Sequence, residues 1–273
     1  MNMSYPFFEV KKIPEKKIAT IKLNRPEKRN AMNWSFWRDL PLLVDELEKD
    51  KNIRSVVILG NGKSFSTGLD IEDFFTEFKE TITGDIADKR EKLFQLIKTM
   101  QEGFKKIISS EKVYICSVHK HCIGGGLDLM VACDIRLASK DASISLRETK
   151  VAIVADMGSL NRLPQIIGMG NTKMLAFTGR DISGEEAKRI GLVSEIYEDF
   201  EELEKNSIEL ATEIASNPSI AVRGTKEILN YMEDHGPKDG MDYVAVWNSA
   251  FLDSEDLREL GDAFKEKRKP NFK

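Results

Sequence analysis

The sequence predicts an alternating α/β body followed by a helical tail, and three observations predict it. Short β-branched runs of strand length recur at Ile18–Leu23, Ile53–Leu59 and Val113–Val118. Segments with apolar residues three and four apart lie between them, which is the period of an amphipathic helix. Beyond about residue 200 the strand-like runs stop and only the helical period remains. With 273 residues, 41% hydrophobic and 32% charged, the chain is long enough to bury a core without disulfides or metal staples.

The elements follow in order. Ile18–Leu23, Ile53–Leu59 (ending at Gly60) and Val113–Val118 are continuous apolar runs suited to strands covered on both faces, and Ala132–Leu137 is a weaker fourth. Trp37, Leu40, Leu43, Val44 and Leu47 share one face of a helix capped at Asn33, and Pro41 is expected to bend it. Leu93, Leu96, Ile97, Met100, Phe104, Ile107 and Ile108 form the clearest helical stripe in the chain. Ser183-Gly184-Glu185-Glu186 is a capping box, and Gly191 is the stop signal of the short helix that follows it. Val193–Tyr197 returns to strand. From Phe200 the pattern is helical with a break at Asn217-Pro218, and Met241, Val244, Trp247, Asn248 and Phe251 line a further helical face. Residues 1–200 are therefore expected to form the core with the active site, and 201–273 a C-terminal helical region.

Composition removes several function classes. Lys+Arg total 41 against 45 Asp+Glu, and the short clusters Lys11-Lys12, Lys16-Lys17 and Lys267 to Lys269 are scattered, so no nucleic-acid partner is expected. The longest apolar runs fall far short of the ~20 residues of a membrane span. Met1 to Pro6 shows no charged region leading into an apolar stretch, and the chain ends Asn271-Phe272-Lys273 rather than Ser-Lys-Leu. Cys116, Cys122 and Cys133 contain no Cys-x-x-Cys pair, so they read as buried small residues of a reducing compartment, not as disulfides or a metal site. A cytoplasmic location follows if the source is bacterial.

Familiar motifs fail by one residue each. Gly60-Asn61-Gly62-Lys63-Ser64 has Val57 where a P-loop needs its first glycine, and Gly124-Gly125-Gly126-Leu127-Asp128-Leu129 has Leu129 where a dinucleotide fingerprint needs its third. No Gly-x-Ser-x-Gly elbow accompanies His119, His121 and His235.

Two loops carry more promise. Val113–Val118 runs through His119 to Ile123 into Gly124-Gly125-Gly126 and then a helix start, whose free N–H groups can face developing negative charge. The loop Gly62 to Asp70 follows the strand Ile53–Leu59. If the two strands are neighbours, one N–H from each loop can form an oxyanion hole. Asp128 follows the glycines, Glu148 sits in Ser145-Leu146-Arg147-Glu148-Thr149, and Asp156 lies in the apolar run Val151 to Gly158. Acids beside two amide-bearing loops point to proton transfer next to a stabilised oxyanion.

At these residues the chain resembles the enoyl-CoA hydratase/isomerase, or crotonase, superfamily. The resemblance runs from Leu23-Asn24-Arg25-Pro26 and Arg29 to Asn33, through Phe65 to Asp70, Cys122 to Asp128 and Ala132 to Arg136. It continues through Arg162-Leu163-Pro164, Phe177 to Arg180 and Gly191 to Ser194, and ends at Ala263 to Pro270. Within the superfamily, hydratases carry Glu at Asp128, Glu at Glu148 and Gly at Asp156, whereas this trio resembles the 3,5-dienoyl to 2,4-dienoyl-CoA isomerases. Val154 to Leu160 and Tyr243 to Asn248 resemble that branch too, while Thr149 to Ala152 and Lys112-Val113 depart from it.

The resemblance implies a spiral of ββα units with a C-terminal helical trimerisation region. It implies an isomerase of fatty-acid β-oxidation that shuttles a proton between carbons 2 and 6 of an acyl-CoA thioester, with an enoyl-CoA hydratase or an RNA-binding relative as alternatives. The thioester carbonyl would sit on the Leu69 and Gly125 amides, with Glu148 and Asp156 as the acid/base pair in an open order and Asp128 orienting them. The CoA arm would pass Gly68, Asp70, Ile71 and Glu72, with Gly126 at the thioester end and Arg29 toward the phosphates. Phe264 and Lys267 would reach the nucleotide of a neighbouring subunit in a homotrimer or hexamer. No metal and no cofactor beyond the CoA of the substrate is implied.

Overall fold

A computed structural model describes residues 5–83 and 86–272. Its strands are β1 (Phe8–Ile13), β2 (Ile18–Leu23), β3 (Ser55–Gly60), β4 (Val113–Val118), β5 (His121–Ile123), β6 (Ile135–Ser139), β7 (Ser143–Ser145), β8 (Ile182–Ser183) and β9 (Glu195–Tyr197). Among the described residues, six of them form one sheet in the order β1-β2-β3-β4-β6-β9, and β5-β7-β8 form a smaller one. Only the β1–β2 pair of the large sheet is antiparallel.

The large sheet is covered on both faces, which is why β3 and β4 are buried at every residue. Alternate residues serve different cores. Ala19, Ile21, Val56, Ile58, Cys116 and Val118 pack toward the helices Trp34–Lys49, Ala87–Ser109 and Gly125–Ala132. Ile18, Val57, Leu59, Ile115 and Leu137 pack toward Leu203, Ala211 and Ala215 of the helix Phe200–Ser216. The helical region thus begins by closing the sheet and goes on as Ser219–Asp234, Pro237–Phe251 and Glu255–Glu266.

Several local expectations change. The helix Trp34–Lys49 runs unbroken through Pro41, because the buried stripe Phe36, Trp37, Leu40, Leu43, Val44 and Leu47 holds it on both sides of the one lost hydrogen bond. Asn33 stands at its N-cap position, but the Trp34 N–H donates to the Asp73 carboxylate (3.3 Å) instead. The fourth strand begins at Ile135, since Ala132 ends the preceding helix. The Ser183 hydroxyl accepts from the Glu186 N–H (3.1 Å), as a capping box requires, and the break at Asn217-Pro218 separates two helices.

Candidate active site

β3 and β4 are parallel neighbours, so the loops that leave them emerge at the same sheet end. The two loops are then stitched together. The Ser66 N–H donates to the His121 carbonyl (2.8 Å) and the Ile123 N–H to the Ser66 carbonyl (3.1 Å). The first loop is also tied to the segment before the helix Trp34–Lys49: the Met32 N–H donates to the Gly68 carbonyl (2.7 Å) and the Asp70 N–H to the Met32 carbonyl (3.0 Å). This parallel bridge uses the groups on either side of Leu69 and leaves its own N–H facing the other way.

Gly125 is the first residue of the buried helix Gly125–Ala132, where N–H groups have no intrahelical acceptor. Among the described residues, neither the Leu69 nor the Gly125 amide donates a hydrogen bond. Gly68, at φ 83°, allows the approach: a Cβ there would meet the Ile123 carbonyl oxygen at 2.5 Å and the Gly125 nitrogen at 3.1 Å. The structure thus brings two unengaged amides together at the start of a helix, an arrangement able to hold an oxyanion.

The three acids converge beside them. Asp128, in the first turn of that helix, is 2% exposed. Burial first, and then the charge of Glu148, raise its pKa to about 7; the two donors of Ser159 oppose the rise, and Asp156 adds to it. Glu148 opens the 3-10 turn Glu148–Val151, and its Oε1 lies 3.2 Å from where a Gly124 Cβ would be. Its Oε2 is buried with no hydrogen-bond partner among the described residues. Burial and the Asp156 charge raise the Glu148 pKa. Asp156 is half-buried, and burial raises its pKa also.

Local bonds hold this acidic loop. The Ile153 N–H donates to the Glu148 carbonyl (3.0 Å) across Ala152 in the left-handed region, and the Gln101 amide donates to the Asp156 carbonyl (2.6 Å). Ser159, fully buried at the start of the helix Ser159–Thr178, donates its N–H (2.8 Å) and its hydroxyl (2.5 Å) to Oδ1 of Asp128.

The other expected residues divide into two groups. Gly126 is buried against Ser66. Arg29 is exposed, and its carbonyl accepts from the Thr67 N–H of the first loop (3.2 Å). Asp70 is buried, pairs with Arg25 (2.6 Å) and caps the helix Ile71–Glu77 through the Asp73 N–H (3.2 Å). Burial alone would raise its pKa, but the Arg25 bond, the Asp73 amide and nearby positive charge leave it lowered. Ile71 and Glu72 are exposed in the first turn of that helix. Phe264 and Lys267 lie at the exposed end of the last helix and take no part in the acid cluster.

Sequence reasoning missed Arg25, Gln101 and Ser159, the side chains that support the site. Two of them carried a signal: Arg25 stands in the resemblance stretch Leu23-Asn24-Arg25-Pro26, and Gly158-Ser159 before an apolar period is a helix start.

The sequence profile described as Enoyl-CoA hydratase/isomerase matches residues 14–273. A mitochondrial Delta(3,5)-Delta(2,4)-dienoyl-CoA isomerase of Dictyostelium discoideum is 38% identical, over 98% of this chain and 92% of its own. The human mitochondrial protein of the same name is 40% identical, over 89% and 74%. The crystal structure of an enoyl-CoA hydratase from Bacillus anthracis superposes with a TM-score of 0.87 at 30% identity, covering 98% of this chain and 99% of that one. The spiral α/β fold is shared with that structure, and the chain belongs to the enoyl-CoA hydratase/isomerase family.

Proposed function

We propose that this protein isomerises 3,5-dienoyl-CoA to 2,4-dienoyl-CoA, a step of fatty-acid β-oxidation. The observation that carries the reading is the third acid. Asp156 lies close enough to Glu148 and Asp128 for its charge to raise the pKa of both. A hydratase needs only two acids around a water, whereas moving a proton between two distant carbons calls for a carboxyl at each end.

The thioester oxygen sits on the Leu69 and Gly125 amides. Glu148, packed against Gly124 next to the cradle, takes the proton from carbon 2 as a carboxylate. The electron pair of that C–H bond spreads as a dienolate over the carbonyl oxygen and carbons 4 and 6. Asp156, on the loop beyond, delivers its proton to carbon 6, so the double bonds shift from 3,5 to 2,4. The spent Glu148 proton then returns to Asp156. Atoms balance without added water or electrons, so the step calls for no redox cofactor or metal. The CoA arm runs along Gly68 to Glu72 and Gly126, with Arg29 at the phosphates.

The assembly is a homotrimer or a pair of trimers. Met241, Val246, Leu252, Leu260 and Phe264 are exposed apolar residues on and between the last two helices, and Phe264 is 85% exposed. Phe264 and Lys267 then reach the nucleotide of the neighbouring subunit. The three cysteines are free and buried, in keeping with a reducing compartment such as the bacterial cytoplasm.

Incubation with a 3,5-dienoyl-CoA and, separately, a 2-enoyl-CoA decides the reading. The expected result is growth of the conjugated 2,4-diene absorbance and slow or no hydration. Rapid hydration without a diene signal establishes the hydratase alternative.

A further inference from the structure

Asp128 is held in an asymmetric way that the family assignment does not require. Both donors of Ser159, N–H at 2.8 Å and hydroxyl at 2.5 Å, end on the same oxygen, Oδ1. An oxygen accepting two such bonds is a poor place for a proton, so a proton on this carboxyl belongs on Oδ2. The groups around Asp128 come from four elements. Glu148 stands on the 3-10 turn, Asp156 on the loop after it, the buried Cys122 thiol on β5, and Ser159 on the helix Ser159–Thr178. Arg162 of that last helix is taken up by the Val131 carbonyl (2.7 Å) and Glu233 (2.8 Å). The charge acting most strongly on Asp128 is that of Glu148, whose buried Oε2 lacks a partner among the described residues.

We infer that Ser159 is a positioning residue of the proton shuttle: by engaging Oδ1 twice, it fixes Oδ2 of Asp128 as the proton-bearing oxygen of this carboxyl. Ser159 touches no substrate atom in this role. It sets which form of Asp128 the catalytic Glu148 meets, and it stabilises the ionised form against burial.

The test compares Ser159→Ala, which removes the hydroxyl donor, with Ser159→Thr, which keeps it. The first readout needs no substrate. The carboxylic-acid infrared band of Asp128, identified by its loss in Asp128→Asn, is titrated in the intact protein. Ser159→Ala is expected to move that titration upward by about one pH unit, and Ser159→Thr to restore it. The second readout rests on the isomerase reading: the acid limb of the pH–kcat profile moves up with the band, and kcat falls about tenfold while KM stays within about twofold. If Ser159→Ala does not fold, Ser159→Cys, with its weaker donor, is held to the same criterion. An unchanged Asp128 titration overturns the inference, including when the variant merely melts at a lower temperature. A wild type without diene activity overturns the isomerase reading, and the infrared titration still decides Ser159.

Discussion

Gly68 and Gly125 stand so close that a single methyl group on Gly68 would fall 3.1 Å from the Gly125 nitrogen, besides meeting the Ile123 carbonyl oxygen at 2.5 Å. The contact joins the two loops whose amides form the proposed oxyanion cradle. Gly68→Ala is also strained at φ 83°. Its expected effect is a loss of on the order of 10²–10³ in kcat, the usual cost of one oxyanion donor. Steady-state kinetics on a protein shown by circular dichroism to be folded checks this. Activity within about threefold of wild type would remove the cradle from the mechanism.

Glu148→Gln keeps shape and removes the base. The expected loss in kcat is on the order of 10²–10⁴, with thioester binding retained because the oxyanion amides and the CoA arm are untouched. Single-turnover diene formation together with calorimetric binding of a saturated acyl-CoA separates the two effects.

Gln101 offers a test at one remove. Its amide holds the Asp156 carbonyl at 2.6 Å, which fixes the loop carrying the acid. Gln101→Leu is expected to cost on the order of 10- to 100-fold in kcat through misplacement, with KM little changed. A KM effect alone would assign Gln101 to substrate binding instead.

The Asp128 carboxyl links stability to pH. Its pKa is raised from 3.8 to about 7 in the folded protein, chiefly by burial. A raised pKa means that the folded state holds the proton more tightly than the unfolded one. Its contribution is present below about pH 4 and is lost as pH climbs through about 7. Asp128→Asn cannot ionise, so its stability relative to wild type should grow between pH 4 and pH 8 by on the order of 4 kcal/mol or less. Urea unfolding at several pH values measures the difference. A pH-independent gap would show that Asp128 is an ordinary ionised acid.

The sequence makes the skeleton of this site legible, and the reason is physical. Strands covered on both faces, such as Val113–Val118, must be continuous apolar runs, and a helix that starts at an anion site needs glycines at its entry. The strand Phe8–Ile13 escaped notice because its antiparallel edge position keeps charged Glu9, Lys11 and Lys12 among its apolar residues. The small sheet β5-β7-β8 escaped because strands of two or three residues leave no period to read. The support of the acids was hidden for another reason. Ser159 is 31 residues from Asp128, and Gln101 is 55 from Asp156. Such partners are chosen by how helices pack on one another and on the loop before the helix Ser159–Thr178, which no local pattern encodes. Asp70 shows the reverse case: a residue expected at the CoA arm also spends its carboxylate on Arg25 and on a helix cap.

The central claim is that one carboxyl serves each end of the diene, Glu148 at carbon 2 and Asp156 at carbon 6. Deuterium exchange at carbon 2 in heavy water, followed by NMR with Asp156→Asn and Glu148→Gln, tests it most directly. Asp156→Asn should still exchange the carbon 2 hydrogen while forming almost no 2,4-diene, and Glu148→Gln should do neither. Exchange that survives in Glu148→Gln and vanishes in Asp156→Asn would contradict the assignment.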